Sequence, residues 1–138
     1  MEVKLEDYKT IIVNGNKFVL PKRIQQYVII NEVTIAIFVY SQKTDAEYEI
    51  KLADAKYGIN GGHLFLVKDG KLHQFNVVVS NIWKKDDNTL GIYTGDYTEY
   101  LDINKMEIVK SIWNPWGLDN PEKYYKEDKY RHLKKRKR

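Results

Sequence analysis

A strand–turn–strand unit occurs twice between Gly62 and Trp113, and it leaves the middle of the chain little freedom to be anything but sheet. The first copy, GGHLFLVKDGKLHQFNVVV, turns at Asp69-Gly70; the second, TLGIYTGDYTEYLDINKMEIVKSIW, turns at Asp102–Lys105. Each copy has an aromatic-bearing strand, an aspartate at the turn and a second strand of branched apolar residues. Asp-Gly supplies the positive φ that a two-residue hairpin demands. Branched and aromatic residues suit a pleated, half-buried surface. The copies are joined by SNIWKKDDN, and turn signals recur about every 8–12 residues, the spacing of an antiparallel meander.

The upstream half reads the same way. Met1 to Tyr8 is a polar lead-in with a short helical turn as its expected structure. TIIVNGNKFVL then places two apolar runs around Asn14-Gly15, a type I′ hairpin signal, and Pro21 closes the second run because it lacks a ladder donor. In QQYVIINEVTIAIFVY two branched runs meet at Asn31-Glu32, a second hairpin. Its second half is apolar on both faces, which predicts a central strand covered on both sides. Glu47–Leu52 alternates as a half-exposed strand, and ADAKYGINGG is a loop punctuated by Gly58, Gly61 and Gly62. The sum is about nine strands and no interior helix.

With 138 residues and no cysteine, the chain makes one domain without disulfides or thiol chemistry. No apolar run approaches the roughly 18 residues that cross a bilayer, and the polar start is unlike a signal or transit peptide. A cytoplasmic location is the expectation. The net charge of +4 divides unevenly. Residues 122–138 hold nine Lys/Arg against three Asp/Glu, a net of +6, and the other residues sum to −2. A folded nucleic-acid-binding domain spreads positive charge over a face; here it collects at one end.

Domain organisation follows from that split: an antiparallel β domain over 1–120 and a basic helix or tail over 121–138. Trp113-Asn114-Pro115-Trp116-Gly117 stops the last strand. Asn120-Pro121 then reads as a helix start, with an N-cap and proline at the first helical position. That helix has Tyr124, Tyr125, Tyr130 and Leu133 to bury, and KKRKR ends the chain.

The repeated unit resembles a blade strand pair of quinoprotein-like (PQQ-like) β-propellers. Leu20 to Trp113 is also similar to a group of short bacterial proteins built from an N-terminal β-rich stretch and two such units. The pieces that carry the likeness are IQQYVIINEVTIAIFVY, HLFLVKDGKLHQF and NTLGIYTGDYTEYLDINKMEIVKSI. It departs from the pattern where His73-Gln74-Phe75 replace a closing Trp, where Met106 stands near the turn glycine, and where no Trp closes at Lys110. The resemblance implies an all-β fold, a partial propeller with two blade-like units. Quinone chemistry does not carry over, because a complete propeller encloses its cofactor with several blades; no cofactor is expected.

Catalytic patterns are thin. His63 and His73 lie on the two strands of one hairpin but out of register, and His132 lies in the tail, so no zinc-type spacing exists. Ser41, Ser80 and Ser111 sit in no nucleophile elbow. Asp86-Asp87 reads as a solvated hairpin tip. Asp96, Glu99 and Asp102 form an acidic cluster along one strand, the arrangement a carboxylate-based hydrolase needs if the groups meet in a cleft. Gly58–Gly62 leads into a strand and not a helix, so it is a turn and not a phosphate cradle.

Aromatic residues give the sharper pattern. Trp83, Tyr93, Tyr97, Tyr100, Trp113 and Trp116 cluster late in the chain, and Trp and Tyr dominate binding hot spots. They are the candidate protein-binding residues, the alternative being that they clamp the C-terminal segment onto the sheet. Arg131, Lys134, Lys135, Arg136, Lys137 and Arg138 are the candidate nucleic-acid contacts, acting on phosphates without reading sequence. The expectation is a non-catalytic binding module, inhibitor-like or immunity-like, with another protein as partner. Nucleic-acid association through the tail is the alternative; no membrane and no metal are expected.

Overall fold

The computed structural model describes residues 1–39 and 62–128. Among these residues eleven strands form three antiparallel sheets. The N-terminal sheet orders β1 (Val3–Asp7), β2 (Thr10–Val13) and β3 (Asn16–Val19). The central sheet holds β4 (Ile24–Asn31), β5 (Thr34–Val39), β6 (Gly62–Lys68) and β7 (Lys71–Val79), and the C-terminal sheet β8 (Asn81–Asp86), β9 (Thr89–Tyr93), β10 (Tyr97–Asp102) and β11 (Glu107–Trp113). Every strand within a sheet pairs with its sequence neighbour, the meander that the turn spacing predicts.

The sheets stack, with the central one covered on both faces. Along β5 every residue is buried, and its side chains divide by parity. Ile35, Ile37 and Val39 pack with Phe65 and Val67 against Ile11, Val13 and Leu20 of the N-terminal layer. Ala36 and Phe38 pack with Leu64, Leu66 and Val79 against Ile82, Leu90, Ile92 and Leu101 of the C-terminal sheet. A strand between two layers is apolar nearly throughout, as β5 is after its first residue, Thr34, because both faces of the pleat lose water. The run after Glu32 therefore is the doubly covered strand its composition predicts. The turns of the two copies take equivalent places: each joins the last two strands of a four-stranded sheet, β6 to β7 and β10 to β11, while the second copy also includes β9.

Short polar side chains set the hairpins. Asp7, Asn31, Asp86 and Asp102 each accept, through a side-chain oxygen, the backbone N–H two residues on, at 2.8–3.0 Å. This local bond bends the backbone without help from the rest of the fold. Asn14 and Gly15 have φ of 50° and 83°, and Asp69 and Gly70 have 51° and 76°, as type I′ turns require. Met106 has φ of 57°, so the position where the repeat would have glycine keeps the left-handed backbone without it. Bonds between sheets add rigidity: Gln26 Nε2 donates to the Ile82 carbonyl (3.0 Å), Asn31 Nδ2 to Asp87 (2.8 Å) and Lys68 Nζ to Ile103 (2.8 Å).

Four expectations need correction. Met1 to Tyr8 is no helical turn: Val3 and Leu5 alternate with Lys4 and Glu6, and the segment pairs with β2 as a strand. SNIWKKDDN is not a mere connector, since Asn81–Asp86 forms β8. Thr89 to Asp102 is two strands, divided at Gly95, whose φ of 104° turns the chain, with Thr94 N–H bonding the Tyr97 carbonyl at 2.9 Å. At the other end, the described part of the basic segment is a single 3₁₀ turn, Pro121–Lys123, and not a longer helix; Asn120 makes no side-chain cap bond. Glu127 instead bridges Ile112 in antiparallel fashion. The expected strand Glu47–Leu52, the glycine loop up to Gly61, and residues 129–138 lie outside the described residues. Among the described residues no helix is long and apolar enough to cross a membrane.

Candidate protein-binding face

The outer face of the C-terminal sheet, turned away from the central sheet, carries two rows of residues in register. Trp83, Gly91, Tyr100 and Lys110 form one row, and Asn81, Tyr93, Thr98 and Ile112 the other. In the first row the Trp83 indole lies over Gly91 so closely that a Cβ there would stand 2.2 Å from Cε2. A glycine inside a strand is commonly such a point of close approach. Tyr100 is buried, and the Lys85 ammonium stands 4.5 Å from its ring centroid. Burial, followed by a hydrogen bond to the Glu122 carboxylate, holds the Tyr100 phenol well above the usual tyrosine range.

Residues 114–124 fold over the second row. Their anchor is Asn114, which is 1% exposed. Its Nδ2 donates to Thr98 Oγ1 (2.9 Å) and to the Leu118 carbonyl (3.0 Å), and its Oδ1 accepts from Leu118 N–H (2.9 Å). Its own N–H donates to the Asp96 carbonyl at 2.7 Å. The Tyr93 hydroxyl is within donating distance of the Gly95 (2.8 Å) and Asn114 (3.0 Å) carbonyls. Burial, and then the Asp96 charge, raise its pKa above the usual value. Gly117, at φ of 65°, passes over that ring, where a Cβ would sit 3.4 Å from the hydroxyl. Between sheet and loop a cleft of about 380 Å³ is lined by Trp83, Tyr93, Asn81 and Asp119.

The six aromatic candidates thus separate. Trp83 and Tyr93 wall the cleft, and Tyr100 lies beneath the loop. Tyr97 and Trp113 are register partners at the sheet's end, where the Tyr97 hydroxyl reaches Asp128 Oδ2 at 3.4 Å. Trp113 meets Tyr125 edge-on, with centroids 5.4 Å apart. Trp116 is 80% exposed at the crown of the loop. Tyr124, expected to be buried by a helix, is instead 69% exposed, and Trp113 is 48% exposed. Clamp and presentation therefore coexist: Tyr93 and Tyr100 hold the loop, and the loop displays Trp116 and Tyr124.

The other candidates are not drawn together. Asp96 is exposed and Asp102 bonds the Asn104 and Lys105 N–H groups of its own turn. Glu99 is fully buried on the opposite face of the sheet, taking a 2.5 Å bond from Ser111 Oγ. His63 pairs with Val78 and His73 with Leu66, and no group of three His, Cys, Asp or Glu able to hold a metal occurs among the described residues. The candidate nucleic-acid contacts, Arg131 and Lys134 to Arg138, lie outside the described residues. Asn114, the residue that organises the loop, was missed in the sequence; Asn-Pro is a turn signal, but nothing in it predicts a buried amide. Comparison of the chain with protein-family models, with curated proteins and with solved structures finds no match, so the likeness to quinoprotein-type blades rests on the residues alone.

Proposed function

We propose that this chain is a non-catalytic binding module, of the inhibitor or immunity type, which engages another protein through the aromatic loop of its C-terminal sheet. The observation that carries the reading is Trp116, four-fifths exposed at the crown of a loop whose base is pinned by the buried Asn114. Exposing an indole to water is unfavourable, and holding it on a rigid base spares the entropy a flexible loop would lose on binding. Tyr124 and Trp113 extend the exposed aromatic surface. A cytoplasmic setting and a likeness to a partial propeller belong to the same proposal.

The test is purification of the tagged chain from its native host, with and without nuclease, in parallel with Trp116→Ala. A stoichiometric protein that survives nuclease and high salt in the wild type is expected to be lost from the variant. Truncating a central Trp hot spot weakens binding by about 2 kcal/mol or more, roughly 30-fold. Because Trp116 packs on little, the variant's melting temperature should not move. Equal recovery with both proteins would refute the assignment of the loop. The separation of charge, +6 in residues 122–138 against −2 elsewhere, favours a second reading, nucleic-acid association through the tail. It predicts material that disappears with nuclease and with truncation after Asn120.

A further inference from the structure

We infer that the cleft between the C-terminal sheet and its loop receives one arginine side chain of the partner protein, stacked on Trp83 and paired with the Asp119 carboxylate. The inference rests on the reading of that loop as the protein-binding face, and it names the group the face takes. At about 380 Å³ the cleft is at the small end of ligand sites, which run from about 300 to about 1,000 Å³. That size suits a single long side chain.

One wall is an outward ring face. A Cβ on Gly91 would stand 2.2 Å from Trp83 Cε2 and 2.5 Å from each of its bonded neighbours, Cζ2 and Nε1. Equal and slightly longer distances to the two flanking atoms mean that the glycine meets the indole along the ring normal and not at its edge. One face of Trp83 is therefore spent on β9, and the opposite face is turned away from the sheet. The side chain is half-buried and lines the cleft. An indole face is the strongest aromatic surface for a cation. The sheet already holds one cation in this manner, the Lys85 ammonium 4.5 Å from the Tyr100 centroid.

The polar lining selects a donor. Asn114 Nδ2 gives one N–H to Thr98 Oγ1 and the other to the Leu118 carbonyl. The Tyr93 hydroxyl has the Gly95 and Asn114 carbonyls to receive its proton. These donors are used within the protein, and what they leave toward the cleft is oxygen: the lone pairs of Tyr93 and the exposed Asp119 carboxylate. Asp96 adds a second negative charge close by. Its carbonyl takes the Asn114 N–H at 2.7 Å, and its carboxylate acts on the Tyr93 hydroxyl. Among the described residues, none that lines the cleft is Lys or Arg. A flat ring face and a carboxylate in one cleft favour arginine over lysine, because a guanidinium stacks on aromatic faces and offers paired N–H donors to a carboxylate.

The test is titration of the isotope-labelled full chain with N-acetyl-arginine methylamide, followed by heteronuclear NMR. Saturable shifts are expected at the Trp83 indole N–H and at the Gly117 and Asp119 amides, with a dissociation constant of roughly 1–10 mM. Asp119→Asn and Trp83→Leu should each weaken binding about fivefold. The citrulline analogue, which has nearly the same shape without the charge, should bind about tenfold more weakly. Trp116→Ala, at the crown of the loop, should leave the titration unchanged. That variant tests the loop through capture of the partner, so the two readings fail separately. No saturable shift at Trp83 would overturn the proposal, as would equal affinity for the citrulline analogue. Full affinity in Asp119→Asn would overturn it too, since the pairing would then be absent.

Discussion

Gly91 should be intolerant of even one methyl group, and the reason should be Trp83 alone. A Cβ on Gly91 would lie 2.2 Å from Trp83 Cε2 and 2.5 Å from Cζ2 and Nε1, against about 3.5–4.0 Å for an ordinary carbon contact. The indole must withdraw by more than about 1 Å, which lifts it from the strand it covers and opens the cleft wall. Overpacking of this kind costs about 1–3 kcal/mol. In a Trp83→Ala background the same change meets no ring, and it should then be neutral or slightly stabilising, because glycine loses more backbone entropy on folding than alanine. The coupling between the two sites is therefore expected at about 1–3 kcal/mol. Urea unfolding of the four proteins, followed by far-UV circular dichroism, measures it, with an unchanged m-value showing that the denatured state is unaffected. Additivity within about 0.5 kcal/mol would show that Gly91 is needed for some reason other than the indole.

Removing the loop's anchor by Asn114→Ala strands the Thr98 hydroxyl and the Leu118 backbone; a loss of about 1–3 kcal/mol is expected, and amide exchange of residues 117–118 should speed up before that of the strands. The Tyr100 phenol is held above its ordinary pKa, so the folded state keeps its proton where the unfolded chain, near pH 10, gives it up. Stability should be intact below about pH 10 and fall as pH rises further. Tyr100→Phe should flatten that alkaline decline in melting temperature. Asp7 and Asp86 are lowered, first by the backbone N–H groups of Lys9 and Asn88 and then by the Thr10 and Thr89 hydroxyls. Their contribution is present above the ordinary carboxylate pKa and vanishes as pH falls through the lowered values, below about pH 4. Asn at both positions keeps an acceptor that does not titrate, and the acid limb of the melting-temperature profile should shrink.

Hairpins were legible where local chemistry sets them. Asn14-Gly15 and Asp69-Gly70 turn as written because their φ values are properties of those residues. The run from Thr34 to Val39 announced a doubly covered strand because each of its faces must lose water. Less was legible where a strand is polar. Val3 and Leu5 are a weak alternating signal, and β1 exists through pairing with β2. Lys84 and Asp86 look like connector residues, yet they extend a sheet whose core contribution from β8 is Ile82. Asn120-Pro121 starts a turn as expected, but propensity did not carry a helix over 122–128, where the antiparallel bridge of Glu127 to Ile112 is formed instead.

The aromatic cluster divides along the same line. Its residue types and late position are written in the sequence. Which rings hold the loop and which stand in water depends on alternation across β8 to β11, on the Gly95 turn, and on the amide of Asn114. By itself the sequence determined the all-β class, the turns, the doubly buried strand and the separation of basic tail from near-neutral body, since each follows from local backbone preference or from pattern. Only the tertiary structure decided that Trp116 is exposed while Tyr100 is buried, that Glu99 points away from Asp96 and Asp102, and that the central sheet is covered on both faces. Those depend on which strands lie side by side and which layers face each other, relations between residues far apart in the chain.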